Sequence, residues 1–450
     1  MKKLLLIVFG VFLSLQAVTQ IVETKPNGQK VFVFNKAQSI YDTLTPEAKI
    51  FGLSTFWKEA SYNFVFFDKV KLNWDSLYYS YLPKVLAAKN IYEYSKILDQ
   101  FAKKLNDGHT SIYTPDFFWR DIGRPRMQWD VVDKKRFVSR IDETLLNEIP
   151  LGTELLAIDD LSFEDFAAKG NSLNGIKGTS LTFSFRAKDG REFKKELPRV
   201  AGKDHSVISY PPLKPAKEFE FKILAKNISY VKISTFENDG IPTQFRKEIP
   251  RINTSVALII DVRENGGGNT NYAIAVAQHL TNKQAMVGSA WKTRIHKAAN
   301  KAWGSSSVFG DTSEWTKRNL QFLNGNEWEY HPGDTIEIGK LVEKVKVPIF
   351  ILIGEKTFSA AEDFLILLDG SNNIKLIGQR TAGSSGQPLM FELPYGLMAR
   401  ICAKRDTYPD GRDFIGVGIK PDIYVKRTVK DYRNGVDSEL KTAIDAVNNK

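Results

Sequence analysis

Two stretches of the chain are apolar at nearly every position: Val256-Ala257-Leu258-Ile259-Ile260-Asp261-Val262 and Val347-Pro348-Ile349-Phe350-Ile351-Leu352-Ile353. Both are short and rich in β-branched residues, which predicts strands buried on both faces, as in a parallel sheet covered by helices. Ile228 to Ile233 alternates as a further strand, and Ile374 to Gly378 is another short one. Helices are expected from Tyr272 to Leu280, across the apolar run Phe364 to Leu368, and from Asp437 to Val447. This mixture reads as an α/β core over residues 226–427 with a C-terminal helix over 428–450. Upstream the pattern changes. Between about 46 and 105, Phe51, Phe56, Tyr62, Phe66 and Phe67, then Ile91, Tyr94, Ile97, Leu98 and Phe101, recur at helical spacing, and the aromatic stripe reads most simply as core. Lys103-Lys104-Leu105 followed by Gly108 marks a helix end. This N-terminal helical region is taken as 21–125.

Residues 127–200 show short alternating strands: Arg136 to Ile141, Gly152 to Ile158, and Leu181 to Arg186. A capped helix runs through Phe166, and Asp189-Gly190 is placed as a hairpin turn. Pro211, Pro212 and Pro215 among charges suggest a linker over 201–225. From 281 to 346 the sequence turns polar and aromatic, with Trp291, Trp303, Trp315 and Trp328. It reads either as an excursion that lines a site or as an irregular surface insertion.

The first twenty residues change the expected address. Met1-Lys2-Lys3 is a positive start, Leu4 to Val18 a short apolar run, and Ala17-Val18-Thr19-Gln20 offers small residues for cleavage, so residues 1–20 read as a secretory signal peptide. No cysteine follows that run, which removes a lipid anchor on such a residue. The expected place is the periplasm or the outside of the cell. The single cysteine, Cys402, leaves no internal disulfide and no Cys-rich zinc site. The net charge of +11 is spread along the chain without a dense basic tract. A solvated basic surface is expected, not a nucleic-acid partner. No metal or cofactor is implied, no later run is long enough for a membrane span, and the oligomeric state is open.

Candidate chemistry centres on Lys356-Thr357-Phe358-Ser359-Ala360-Ala361-Glu362-Asp363. Ser359 falls where a buried strand turns into a helix. Free N–H groups and the positive helix end favour an alkoxide or oxyanion there. Ser359-Ala360-Ala361-Glu362 also fits a capping box, in which the serine only satisfies first-turn donors. Gly266-Gly267-Gly268 follows the other buried strand. Three glycines allow positive φ and close backbone approach, for a phosphate or for the oxygen of a reacting carbonyl. The phosphate-loop endings are absent. His109, in Asn106-Asp107-Gly108-His109-Thr110, is one of five histidines and a candidate base at neutral pH.

Taken together, these stretches resemble the serine peptidase family that includes the tricorn core and the C-terminal processing peptidases. The pieces are Asp107-Gly108-His109-Thr110, Asp261-Val262-Arg263-Glu264-Asn265-Gly266-Gly267-Gly268, Thr357 to Glu362, Ile377-Gly378-Gln379-Arg380-Thr381-Ala382-Gly383 and Gly418-Ile419-Lys420-Pro421-Asp422. The 127–200 module resembles a PDZ domain, which binds extended peptide by strand addition. The resemblance implies a crotonase-like (ClpP/crotonase-type) core acting on peptides or unfolded chains, with Ser359 as nucleophile and His109 as base. Ala360 and Gly267, with Gly268 beside it, are the implied oxyanion donors. Processing enzymes carry a lysine where this chain has Ser384, so a Ser/Lys dyad is not expected. The tricorn style places a serine before the histidine, here Gly108, and a glutamate where this chain aligns Ile415. Asp413, Asp410 or Glu362 are the candidates to orient His109. A binding protein on the same fold, holding peptide or an apolar ligand, is the alternative. An α/β-hydrolase is disfavoured because no G-x-S-x-G surrounds Ser359.

Overall fold

The two apolar runs lie side by side as neighbouring parallel strands in the middle of a six-stranded sheet. The computed structural model describes residues 21–448 except 25–27, 29, 35, 203–208, 213–216, 309 and 341, so the expected leader lies outside the described residues. In chain order the sheet strands are β1 (Phe219–Leu224), β2 (Ile228–Ile233), β3 (Ala257–Asp261), β4 (Ile349–Ile353), β5 (Ile374–Gly378) and β6 (Ile423–Tyr424), and their spatial order is the same. β1 and β2 pair antiparallel, and every later neighbour is parallel.

Among the described residues, seven helices of eight residues or more contribute to the cores on the two faces of this sheet. They are α1 (Pro46–Asn63), α2 (Trp74–Ala87), α3 (Ile91–Lys103), α4 (Gly240–Ile252), α5 (Thr270–Ala277), α6 (Ala360–Leu367) and α7 (Ser438–Asn448). Period-two alternation sends Leu258, Ile260 and Ile351 to one face, where they join Phe245 and Ile249 of α4, Val276 of α5 and Phe364 of α6. Ile259, Phe350 and Leu352 go to the other face, with Ala443 of α7. Burial on both faces is why these strands show no polar alternation. All five residues of β3 and of β4 are buried.

α1 to α3 share the first of these cores. Thr45 caps α1 by accepting the Ala48 N–H, and Asn90 caps α3 by accepting the Glu93 N–H, the side-chain types that satisfy first-turn donors best. Phe56, Tyr94, Leu98 and Phe101 are fully buried. Phe51 and Tyr62, expected in the same stripe, are instead 45% and 49% exposed. Residues 127–198 make a second sheet with its own core of Val138, Ile141, Leu155, Phe183 and Phe185. The Asp189-Gly190 turn joins its antiparallel strands Ser180–Arg186 and Glu192–Pro198 as expected.

Two expectations need correction. The segment 201–225 is not all linker, because Ser209–Tyr210 pairs in the second sheet and Phe219–Leu224 is the first strand of the main sheet. The alternation Phe219-Glu220-Phe221-Lys222-Ile223 carries that strand, and the nearby prolines obscure it. Of the two readings of 281–346, the irregular insertion is the one corrected, because its described residues include helices Ala298–Ser305 and Glu314–Leu323 and strands Ala290–Arg294 and Trp328–His331. Trp291 stacks on His331 with centroids 4.9 Å apart. Among the described residues no helix is long and apolar enough to cross a membrane.

Candidate active site

Loops from the carboxyl ends of β3 and β4, the end at which open α/β sheets bind ligands, meet a third loop that follows α3. After β4, Thr357 is fully buried, and its hydroxyl donates to the Val262 carbonyl (2.9 Å) and accepts the Gly354 N–H (3.1 Å). The Phe358 N–H donates to the Asn265 carbonyl at 3.1 Å. This pinning holds Ser359 at φ 56°, ψ −124°, a conformation a non-glycine residue adopts only when its surroundings impose it. α6 starts at the next residue. The capping box is met, with the Glu362 carboxylate accepting the Ser359 N–H at 3.2 Å. The hydroxyl of Ser359 also lies 3.3 Å from His109 Nε2. Cap and reactive serine are therefore compatible at this position.

His109 is placed by its own loop and by a strand. The Asp107 carboxylate accepts the His109 N–H (3.2 Å) and the Thr110 hydroxyl (2.7 Å). Ser111–Tyr113 then pairs with Met398–Cys402. The imidazole is 4% exposed and stacks on Phe358, with centroids 4.6 Å apart and planes at 21°. Burial pushes its pKa down to about 4, and the positive charges of Arg400 and Lys404 add to the shift. The ring's other nitrogen, Nδ1, lies 2.9 Å from Ser384 Oγ.

The carboxylates expected from sequence to orient the imidazole are engaged elsewhere. Asp413 is held by Lys69 and Arg405, both at 3.0 Å, and also accepts the Ile415 N–H. Its cationic partners come from residues 69 and 405, which proximity to the Gly418 segment could not reveal. Asp410 pairs with Arg412 at 2.7 Å. Glu362 is fully buried and spends its carboxylate on the Thr381-Ala382-Gly383-Ser384 loop. It accepts the Thr381 hydroxyl (2.5 Å), the Gly383 N–H (2.8 Å) and the Ser384 N–H (3.0 Å), as well as the Ser359 N–H. Burial raises its pKa against these hydrogen bonds. Ser384 itself, noted in the sequence only as the residue standing where a lysine was absent, is the group that meets His109. A side chain that acts through space across 275 residues leaves no spacing signal.

The glycine loop touches the serine directly. A Cβ on Gly267 would sit 2.8 Å from both the Phe358 carbonyl oxygen and Ser359 Cβ, and 3.0 Å from the Ala360 nitrogen. Gly267 and Gly268 have φ of 95° and 133°, a region that strains other residues. The Ala360 N–H, first in its helix, bonds no acceptor among the described residues. The Gly267 N–H, the donor expected first from sequence, donates instead to Asn265 Oδ1 at 2.9 Å. Asp261 and Arg263 turn from the site. Arg263 pairs with Asp261 (2.6 Å) and with Asp437 at the start of α7 (2.7 Å). Among the described residues no group of three His, Cys, Asp or Glu could hold a metal ion. Cys402 is buried, and burial pushes its thiol pKa up, so it offers no thiolate nucleophile.

Comparison with known proteins places these pieces. The family model of peptidase family S41 matches residues 227–425, and that of the tricorn protease C1 domain matches residues 53–103. A curated protein of Chlamydia trachomatis serovar D is 23% identical over 273 residues, which is 49% of this chain and 44% of that protein. The alignment thus spans less than half the length of that curated relative. Among solved structures, mature CPAF complexed with lactacystin is similar with a TM-score of 0.64 at 16% identity, covering 90% of this chain and 99% of that one. A putative peptidase from Parabacteroides merdae is similar with a TM-score of 0.53 at 20% identity, covering 90% and 97%. At these identities the structural likeness speaks for the fold.

Proposed function

We propose, from the match of residues 227–425 to the model of peptidase family S41, that the chain is an exported serine-type peptidase that cleaves peptides or unfolded chains by a Ser/His mechanism. The observation that carries the mechanism is Ser359 Oγ at 3.3 Å from His109 Nε2, on a strained helix start. In this reading Ser359 Oγ attacks the scissile carbonyl carbon while Nε2 takes its proton. The C–N bond then breaks as Nε2 returns that proton to the departing amine, leaving an acyl-serine. Water, deprotonated by the same nitrogen, releases the acid and restores the hydroxyl. The oxyanion is received by the Ala360 N–H and by a second donor from the glycine loop. Gly268 serves while Asn265 holds the Gly267 N–H, and Gly267 serves once a bound carbonyl displaces Asn265. The central sheet with its helices is read as a crotonase-like core, and residues 127–200 as a PDZ-like module that presents the substrate chain.

The test is covalent labelling by a fluorophosphonate probe, with the adduct located by mass spectrometry. Label on Ser359 that is lost in Ser359→Ala and His109→Ala supports the proposal; no label on a well-folded wild-type protein sinks it. That second result would favour a binding protein on the same fold, a reading supported by Ile415 standing where the family carries a glutamate.

Two further results are expected. Gly267→Ala should cost about 10²–10³-fold in kcat, because the added methyl enters the space beside Ser359 and Ala360. Circular dichroism and a denaturant midpoint would separate this from unfolding. The acid limb of kcat/KM should fall near pH 4, not near the ordinary histidine value of 6.5. A base whose pKa is lowered is neutral, and so competent, at every pH above the lowered value, and it is lost only as pH falls through it. A limb centred above pH 6 in a profile from pH 3.5 to 8 would contradict the buried, cation-flanked imidazole.

A further inference from the structure

We infer that Ser384 is the positioning residue for His109, its hydroxyl oxygen accepting the Nδ1–H of the imidazole and so presenting a bare Nε2 to Ser359. This rests on the serine-peptidase reading above and assigns a role which that reading leaves empty. The chain has Ile415 where a glutamate would be expected, and the carboxylates nearby are committed elsewhere. Asp107 accepts the backbone N–H of His109 and the Thr110 hydroxyl. Asp413 is paired with Lys69 and Arg405. Glu362 is taken by N–H and O–H donors of the neighbouring loop and of Ser359. That leaves Ser384 Oγ, 2.9 Å from Nδ1 and 8% exposed as a residue.

The space around Nδ1 explains how a residue from so distant a loop arrives there. A Cβ on Gly108 would lie 3.1 Å from Ser384 Oγ and 3.1 Å from the Phe358 ring. Position 108 is bare, and the Ser384 hydroxyl stands where its side chain would crowd. Glycine at 108 and serine at 384 are thus two halves of one arrangement. The loop that brings Ser384 also fixes the nucleophile, since the Ser384 carbonyl accepts the Ser359 N–H at 3.1 Å. Its own N–H is held by Glu362. One short segment therefore sets both the backbone of the serine and the ring of its base, with Glu362 acting one bond further back. The hydroxyl is neutral, so it orients the ring and solvates an imidazolium without supplying a counter-charge.

The experiment compares the full chain with Ser384→Ala and with Ser384→Ala combined with Gly108→Ser. It reads kcat and KM on an unfolded protein substrate, the rate of fluorophosphonate labelling, and the His109 tautomer from ¹⁵N shifts of histidine-labelled protein. Ser384→Ala should lower kcat about 10–100-fold with KM nearly unchanged, as expected for loss of one buried neutral hydrogen bond to the base. His109 should change from the Nδ1–H tautomer to a mixture. Serine at 108 should return part of both. A kcat within twofold of wild type in Ser384→Ala, or a wild-type imidazole protonated on Nε2, overturns the inference. A merely structural serine would lower the folded fraction and leave the tautomer of the remaining native protein unaltered. Absence of label and turnover in the wild type would count against the peptidase reading, while the tautomer would still decide the role of Ser384.

Discussion

Ser359→Ala is expected to lower kcat on an unfolded protein substrate by about 10⁴–10⁶-fold, with His109→Ala nearly as severe and the double variant no worse than Ser359→Ala alone. The expectation follows from the two groups acting as one unit. Without the hydroxyl no acyl-serine forms. Without Nε2, 3.3 Å away, the hydroxyl proton has no acceptor as the oxygen attacks. Either deletion removes the same step, so their effects cannot add. The residual rate would come from whatever donors and binding groups remain around the carbonyl. Steady-state kinetics on the four proteins, with an active-site titration to exclude contaminating peptidase, would settle the matter. Multiplicative losses would mean that His109 serves some purpose other than accepting the Ser359 proton.

Glu362→Ala is expected to cost about 3–5 kcal/mol of stability and to abolish activity in whatever fraction folds. The carboxylate is fully buried and accepts from four donors: the N–H groups of Ser359, Gly383 and Ser384, and the Thr381 hydroxyl. Each donor left unpaired in the interior costs about 1–3 kcal/mol, and the four share one acceptor, so the sum is less than four separate losses. Glu362→Gln is the sharper comparison. It keeps the volume and one acceptor oxygen, but turns an NH₂ toward groups that themselves donate. It should therefore retain much of the packing and still displace Ser384 from Nδ1. The denaturant midpoint and kcat of the two variants, read together, check this. A Gln variant with full activity would show that the charge is dispensable and that the loop is held by packing.

The main sheet was the most legible part of the chain, because β3 and β4 are buried on both faces and burial on both faces removes polar residues from a strand. The helical region was legible for a related reason: α3 presents Tyr94, Leu98 and Phe101 on one side. Phe219–Leu224 was missed because its alternation runs beside a cluster of prolines, and the local signal for a linker outweighed a partner strand that only the fold supplies. In the site, the strand-to-helix turn and the helix stop drew attention to Ser359 and His109, but each has an ordinary local explanation, a cap and a loop histidine, and it was the family resemblance that proposed roles for them. Ser384 was not legible, since its partner is set by a vacancy at Gly108 on a different loop. Asp413 was one of three candidates to orient His109, and chain proximity to the Gly418 segment says nothing about its pairing with Lys69 and Arg405. The engagement of the Gly267 N–H was not legible, because its acceptor is the side chain of Asn265, two residues away and of no evident purpose in sequence.

The wide spacing of the site along the chain has a consequence for the cell that makes it. His109 leaves the ribosome 250 residues before Ser359, and Ser384 later still. The loop that carries Ser384 is braced in turn by residues further on. The Ile419 N–H donates to the Thr381 hydroxyl at 2.6 Å, and the Gly416 N–H donates to the Gly383 carbonyl at 2.6 Å. A nascent chain therefore has no assembled serine, base and brace until nearly all of it has been synthesised. A chain kept unfolded for translocation would have none either. On the serine-peptidase reading, order of synthesis would then delay assembly of the site until the chain is nearly complete.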